Sequence, residues 1–144
     1  MSRGRRLAFD FGDVRIGVAV SDPDSILASP VSTLQSKSAD LWDQIFDLLK
    51  EYEPLEAFVG RPVHLAGHVS DSTAKAEIFA QELRERFDLS VTLIDERLST
   101  VSAQRALKSA GVSSREAKSA IDQMAAVEIL KTGLEIFAKR ENPN

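Results

Sequence analysis

Residues 7–22, Leu-Ala-Phe-Asp-Phe-Gly-Asp-Val-Arg-Ile-Gly-Val-Ala-Val-Ser-Asp, constrain this chain most. Two apolar runs rich in aromatic and β-branched residues flank a short polar turn marked by Gly12-Asp13. Such runs predict strands at Leu7–Gly12 and Ile16–Ser21, and so short a link makes them an antiparallel hairpin. Alternation along the first strand sends Leu7, Phe9 and Phe11 to one face and Ala8 and Asp10 to the other. Asp10 is the anomaly. An ionised carboxylate buried in a sheet costs several kcal/mol unless something compensates it. A metal ion or a phosphate-bearing ligand is the natural answer to an acid placed there.

The rest of the chain supplies the sheet's other members. Asp22-Pro23-Asp24-Ser25 is a turn, and Pro30–Leu34 reads as an edge strand, where a proline at the first residue is tolerated. The period then changes. Ser38 is placed to cap a helix to about Tyr52, with Leu41, Trp42, Ile45, Leu48, Leu49 and Tyr52 forming its apolar, core-facing stripe. Pro54 ends it. Glu56–Gly60 is a short central strand, and residues 61–70 form a loop with Pro62, Gly67 and two histidines. Ser72–Phe87 is a helix and Ser90–Ile94 a strand. A helix capped by Ser99 stops at Gly111, a position suited to the left-handed turn that closes helices. The last helix opens at Ser113 or Ser114 and continues to about Lys139, leaving Arg140–Asn144 to fray.

The order β-β-β-α-β-α-β-α-α predicts an α/β fold. Its core is a mixed five-stranded sheet, a three-strand antiparallel meander plus two parallel strands, with helices on both faces. A length of 144 residues fits one domain spanning 1–144. In such sheets ligands gather at the carboxyl ends of the parallel strands.

Composition removes several classes. With no cysteine there is no disulfide, zinc-thiolate site or thiol nucleophile. No apolar run reaches the roughly 18 residues of a membrane span, and the basic Met1–Arg6 lacks the apolar core of a signal peptide, so a cytoplasmic protein is expected. A net charge of −4 argues against coating nucleic acid by electrostatics alone. It leaves room for an enzyme that meets nucleic acid through a local basic rim and bound cations.

Two further acids fit the strand-end argument. Glu96 follows the strand ending at Ile94. Asp122 lies on an apolar stretch of the last helix, on the same face as Ala125, Ala126 and Ile129. That face is small enough to lie close to the sheet. Asp10, Glu96 and Asp122 together could hold one or two Mg²⁺ ions, which take hard oxygen ligands and support phosphodiester hydrolysis by water. Bland readings stand beside this one: a turn cap for Asp10, a surface acid at Glu96, a helix-dipole acid at Asp122. Asp95 and Glu96 point to opposite faces, and spacing leaves open which faces a metal. Arg15 is placed to meet phosphate or solvent, and Arg97 to clamp a phosphodiester or pair with an acid. Lys108, Arg115 and Lys118 form either a basic rim or ordinary solvated helix ends. His64 and His68 are four apart in a loop, not on the helix that a metal-binding pair would need. Asp10-Phe11-Gly12 copies the kinase magnesium tripeptide, but no other kinase element accompanies it.

Four motifs occur in order: Asp10-x-Gly12-x-x-Arg15-Ile16-Gly17-Val18-Ala19-x-Ser21-Asp22, Gly60-x-Pro62, Asp95-Glu96-Arg97-Leu98-Ser99-Thr100 and Asp122-x-x-Ala125-Ala126. Together they resemble the YqgF/RuvX family of Holliday-junction-resolvase-like nucleases, over nearly the whole chain. The resemblance implies an RNase H-like fold and a bacterial cytoplasmic endonuclease dependent on Mg²⁺ or Mn²⁺. It implies a role in 5′-end processing of precursor 16S rRNA during ribosome biogenesis. Position by position, the acids carried over are Asp10, Glu96 and Asp122, and the phosphate-engaging arginines Arg15 and Arg97. The loop after Gly60 departs from the family pattern. It reads Arg61-Pro62-Val63-His64-Leu65-Ala66-Gly67-His68, and Arg61 is a further candidate phosphate contact. Structured RNA is the expected partner, with the protein a monomer or homodimer. Branched DNA is the alternative substrate, and a non-catalytic ribosome-assembly RNA-binding protein the second alternative. Actin-like ATPases share a first-strand Asp-x-Gly but need two such domains.

Overall fold

A computed structural model describes residues 4–63, 71–98 and 114–141. Five strands form one sheet in the order β3-β2-β1-β4-β5. They are β1 (Arg6–Phe11), β2 (Arg15–Ser21), β3 (Ala28–Gln35), β4 (Glu56–Arg61) and β5 (Val91–Asp95). The helices are α1 (Leu41–Tyr52), α2 (Asp71–Phe87) and α3 (Arg115–Glu141), with a single 3₁₀ turn at Glu96–Leu98 after β5. β1, β2 and β3 pair antiparallel as a meander, whereas β4 pairs parallel with both β1 and β5. This is the mixed sheet that the change of period predicts. The expected helix over 99–111 and the loop residues from His64 to Ser70 lie outside the described residues.

Most element ends differ from expectation by a residue or two, α3 running on to Glu141, and two differences have local reasons. The third strand is longer than Pro30–Leu34, and its proline sits inside it. Val18 pairs with Ser32 and Ala19 with Pro30, so the register shifts between them. An irregularity on an edge strand accommodates a residue that cannot donate to the ladder. The first helix is not capped by Ser38. Its N-cap is Asp40, whose side chain makes no capping hydrogen bond and accepts from the Ser38 hydroxyl. The same helix closes at Glu53, which takes a left-handed φ of 46° and donates its N–H to Leu49 O at 2.9 Å. Ser114 caps α3, its Oγ accepting from Ala117 N at 3.1 Å.

The two faces of the sheet are packed differently. On one, Leu7, Phe9, Ile16 and Val18 meet Ile45 and Leu48 of α1 and Phe79 and Leu83 of α2. On the other, Ala8, Ala19, Phe58 and Ile94 meet Ala125, Ala126, Ile129 and Leu130 of α3. At the middle of β1 and β2 this second face carries only Ala8, Gly17 and Ala19, so α3 descends close to the backbone. The contact is tightest at Gly17, where a Cβ would lie 2.0 Å from the carbonyl oxygen of Asp122. Among the described residues, no helix is long and apolar enough to cross a membrane.

This close approach is open to test by denaturant unfolding. Gly17→Ala forces helix backbone away from the sheet and should destabilise the fold by about 3 kcal/mol, the upper part of the usual overpacking range. Gly60→Ala should cost less. Its nearest obstacle is the flexible end of Ile129, 2.4 Å from the added Cβ.

Candidate active site

Asp10 lies next to last in β1, at the carboxyl edge of the parallel strands, and is 3% exposed. It shares a face with Ala8, the face covered by α3. Its partner across the antiparallel ladder is Gly17. On the other side Phe9 pairs with Val59, and the next step of that register brings Gly60 beside Asp10. Asp10 therefore stands between two strand positions with no side chain. The backbone of Asp122 fills the space over Gly17. The carboxylate of Glu96 enters the space over Gly60, where a Cβ would lie 2.8 Å from Glu96 Oε2. Glu96 and Asp122 are as buried as Asp10. One strand, one strand-following turn and one helix thus bring three acids to a single corner of the α3 face.

The arginines at this edge are engaged with acids. Arg15 opens β2 two residues before Gly17, on the same face. Its Nε donates to Asp122 Oδ2 at 2.7 Å, in a pair only 16% and 5% exposed. Asp95 and Glu96, which spacing could not separate, have different surroundings. Glu96 is buried, whereas Asp95 is turned to Arg97. The Arg97 Nη2 donates to Asp95 Oδ2 at 2.7 Å and its backbone N–H to Oδ1 at 2.9 Å. The Arg97 side chain beside it holds the Asp95 carboxyl below its ordinary pKa, against a smaller opposing effect of burial. Arg61 pairs in register with Asp95 and donates its Nε to Glu77 at 3.2 Å. Arg115 is exposed at the start of α3. Trp42 and Tyr52 pack against the α1–α2 core. His64, His68 and Lys108 lie outside the described residues.

The donors are hard carboxylate oxygens, the chemistry that Mg²⁺ or Mn²⁺ takes, and the missing side chain at Gly60 is what admits the Glu96 carboxylate and the end of Ile129. In those respects the residues fit a divalent cation. They are not gathered into a finished cage: among the described residues, no group of three or more His, Cys, Asp or Glu is disposed to hold a metal ion. The Asp122 carboxylate is held by Arg15. Three acids without a shared cation repel, and each gains by finding another partner.

Sequence reasoning singled out the acids but missed what admits them. Gly17 and Gly60 fall within motifs, yet their function as gaps on either side of Asp10 depends on strand register. The signal was a glycine in each of two predicted strands, Gly17 and Gly60.

Comparison with known proteins agrees with this architecture. The family model RuvX, described as Holliday junction resolvase, matches residues 4–136. A Streptomyces coelicolor protein named "Putative pre-16S rRNA nuclease" is 47% identical over 137 residues, spanning 94% of this chain and 82% of its own length. A Mycolicibacterium smegmatis protein of the same name is 48% identical over 149 residues, spanning 96% of this chain and 88% of its own. Among solved structures, T. thermophilus RuvC in complex with Holliday junction substrate superposes with a TM-score of 0.58 at 13% identity, covering 90% of this chain and 91% of that one. That likeness establishes the shared RNase H-like fold. With its model matched over nearly the whole length and relatives near half identical, this chain belongs to the RuvX family.

Proposed function

We propose that this chain is a metal-dependent endonuclease that hydrolyses phosphodiester bonds in structured RNA, acting in 5′-end processing of the 16S rRNA precursor in the bacterial cytoplasm. The observation that carries the reading is the burial of Asp10, Glu96 and Asp122 at one corner of the sheet, with glycines opening the space around Asp10. The relatives' name supports the choice of RNA. The 144 residues act as one nuclease domain, as a monomer or homodimer.

Asp10, Glu96 and Asp122 would hold Mg²⁺ or Mn²⁺. When bound, one or two such ions activate a water and stabilise the leaving oxygen of the phosphodiester. The chain's own residues do the rest. The buried carboxylates keep acceptor oxygens fixed at the strand ends, and water is the nucleophile. Arg15 borders this corner, Arg97 and Arg61 lie at the same sheet edge toward α2, and all three engage the phosphate backbone, exchanging their present carboxylate partners for phosphate oxygens. Branched DNA is the second reading, favoured by the description of the matching family model. Cutting a four-way junction symmetrically calls for a two-fold dimer, so that reading predicts a stable dimer in solution.

Two outcomes are expected. Asp10→Asn should lower cleavage by more than about a hundredfold, since even residues behind the metal ligands cost up to that much, while thermal unfolding stays cooperative. Cleavage of precursor 16S rRNA and of a four-way DNA junction, compared side by side at fixed Mg²⁺, separates the two substrates. An Asp10→Asn protein that cut as fast as the parent would overturn the site. The second outcome concerns pH. Asp95 has a depressed carboxyl pKa in the folded chain, because Arg97 binds its ionised form. Its contribution to stability is thus complete above the ordinary aspartate pKa of about 3.9 and is lost as pH falls through the folded value. Carboxyl-carbon NMR titration should find Asp95 protonating below that ordinary value, and Arg97→Gln should move its midpoint upward.

A further inference from the structure

Arg15 and Asp122 form a nearly buried pair in which the guanidinium holds one of the three acids proposed as metal ligands. The contact is a single short bond, Nε to Oδ2 at 2.7 Å. It joins the first residue of β2 to the second turn of α3, beside the close approach of helix and sheet at Gly17. No group of three acids among the described residues is disposed around a common point, although burial and register bring Asp10, Glu96 and Asp122 to one corner. A guanidinium compensates a buried carboxylate as a cation does, and by doing so it draws the Asp122 oxygens toward β2.

We propose that Arg15 is a latch on the metal site: it occupies the charge of Asp122 until a divalent cation displaces it. The inference rests on the metal-dependent reading above and deepens it. Two cations compete for one carboxylate. The +1 guanidinium leaves when the +2 ion recruits Asp122 beside Asp10 and Glu96. Repulsion between the ion and the departing guanidinium favours the exchange once it has begun. The released Arg15 stays at the site's border, tethered by β2, where its fork of donors suits a phosphate. Metal binding and phosphate engagement by Arg15 are then linked, each favouring the other. Arg15 is accordingly a positioning residue for the metal as well as a phosphate contact.

Calorimetric titration with Mn²⁺ alone, without nucleic acid, tests this on the full chain. The parent should bind Mn²⁺ and Asp10→Asn should lose that binding. Arg15→Gln should bind Mn²⁺ about tenfold more tightly, the effect of removing one competing charge, and Arg15→Lys should stay close to the parent. Equal or weaker Mn²⁺ binding by folded Arg15→Gln, with the parent and Asp10→Asn behaving as expected, overturns the latch and leaves the metal site standing. A parent that binds no Mn²⁺, or an Asp10→Asn that binds it equally, overturns the metal reading itself. A second measurement does not depend on the variant folding. In the parent, the Arg15 ¹⁵Nε–¹H resonance should shift on addition of Mg²⁺ as its bond to Asp122 breaks. A resonance that stays in place while Mg²⁺ saturates the site refutes the exchange.

Discussion

A carboxylate buried inside a β-sheet has to be answered by its surroundings, and the structure around Asp10 is arranged as that answer. Its neighbours on β2 and β4 are Gly17 and Gly60. One gap admits the backbone of α3, and the other admits the Glu96 carboxylate. The cost of burying three acids at one corner is of the order of several kcal/mol each if nothing compensates them. Arg15 meets that demand at Asp122 with a single short bond. Replacing either glycine with a larger residue would change which groups reach the corner. Spacing between strands and helix is therefore inseparable from electrostatics here.

The opposite face of the sheet makes this arrangement sustainable. There Phe9 and Phe11 meet Phe79 with ring centroids 5.6 and 4.9 Å apart, and Trp42 stacks on Phe79 at 5.7 Å. Large, interlocked side chains from α1 and α2 pin β1 by its Leu7, Phe9 and Phe11 side. The other side of the same strand carries Ala8 and Asp10. One face thus concentrates the apolar burial that dominates stability, while the small residues of the other leave room for a helix to bring polar groups against the backbone. The far end of the sheet is tied separately: buried Arg6 donates to Glu56 at 2.6 Å and its backbone N–H to Ser21 Oγ at 2.8 Å.

Much of this was legible along the chain because it depends on local pattern. The hairpin of β1 and β2 followed from two apolar runs and a polar turn, and the helices from a change of period. Where expectation and structure part, the deciding contact is one that local pattern does not specify. Ser38 looked like a helix cap, but its hydroxyl found the carboxylate of Asp40. Pro30 looked like the start of a strand, but a register shift against Val18 and Ala19 absorbed it inside a longer one. Both outcomes turn on which of two nearby partners a polar group or a strand meets.

The site divides in the same way. That Asp10 is out of place in an apolar strand, and that Glu96 and Asp122 are drawn from a strand end and a close-packing helix face, is written in residue type and spacing alone. Local patterning determines it, because side-chain direction repeats every two residues in a strand and every 3.6 in a helix. Only the tertiary structure decided that Glu96 is buried while Asp95 holds Arg97. The same is true of the glycine gaps on both sides of Asp10, and of the meeting of Arg15 with Asp122 across 107 positions of sequence. These depend on register between strands and on how near a helix lies to a sheet. Both are set by packing among residues far apart in the chain, whose distances no local period encodes.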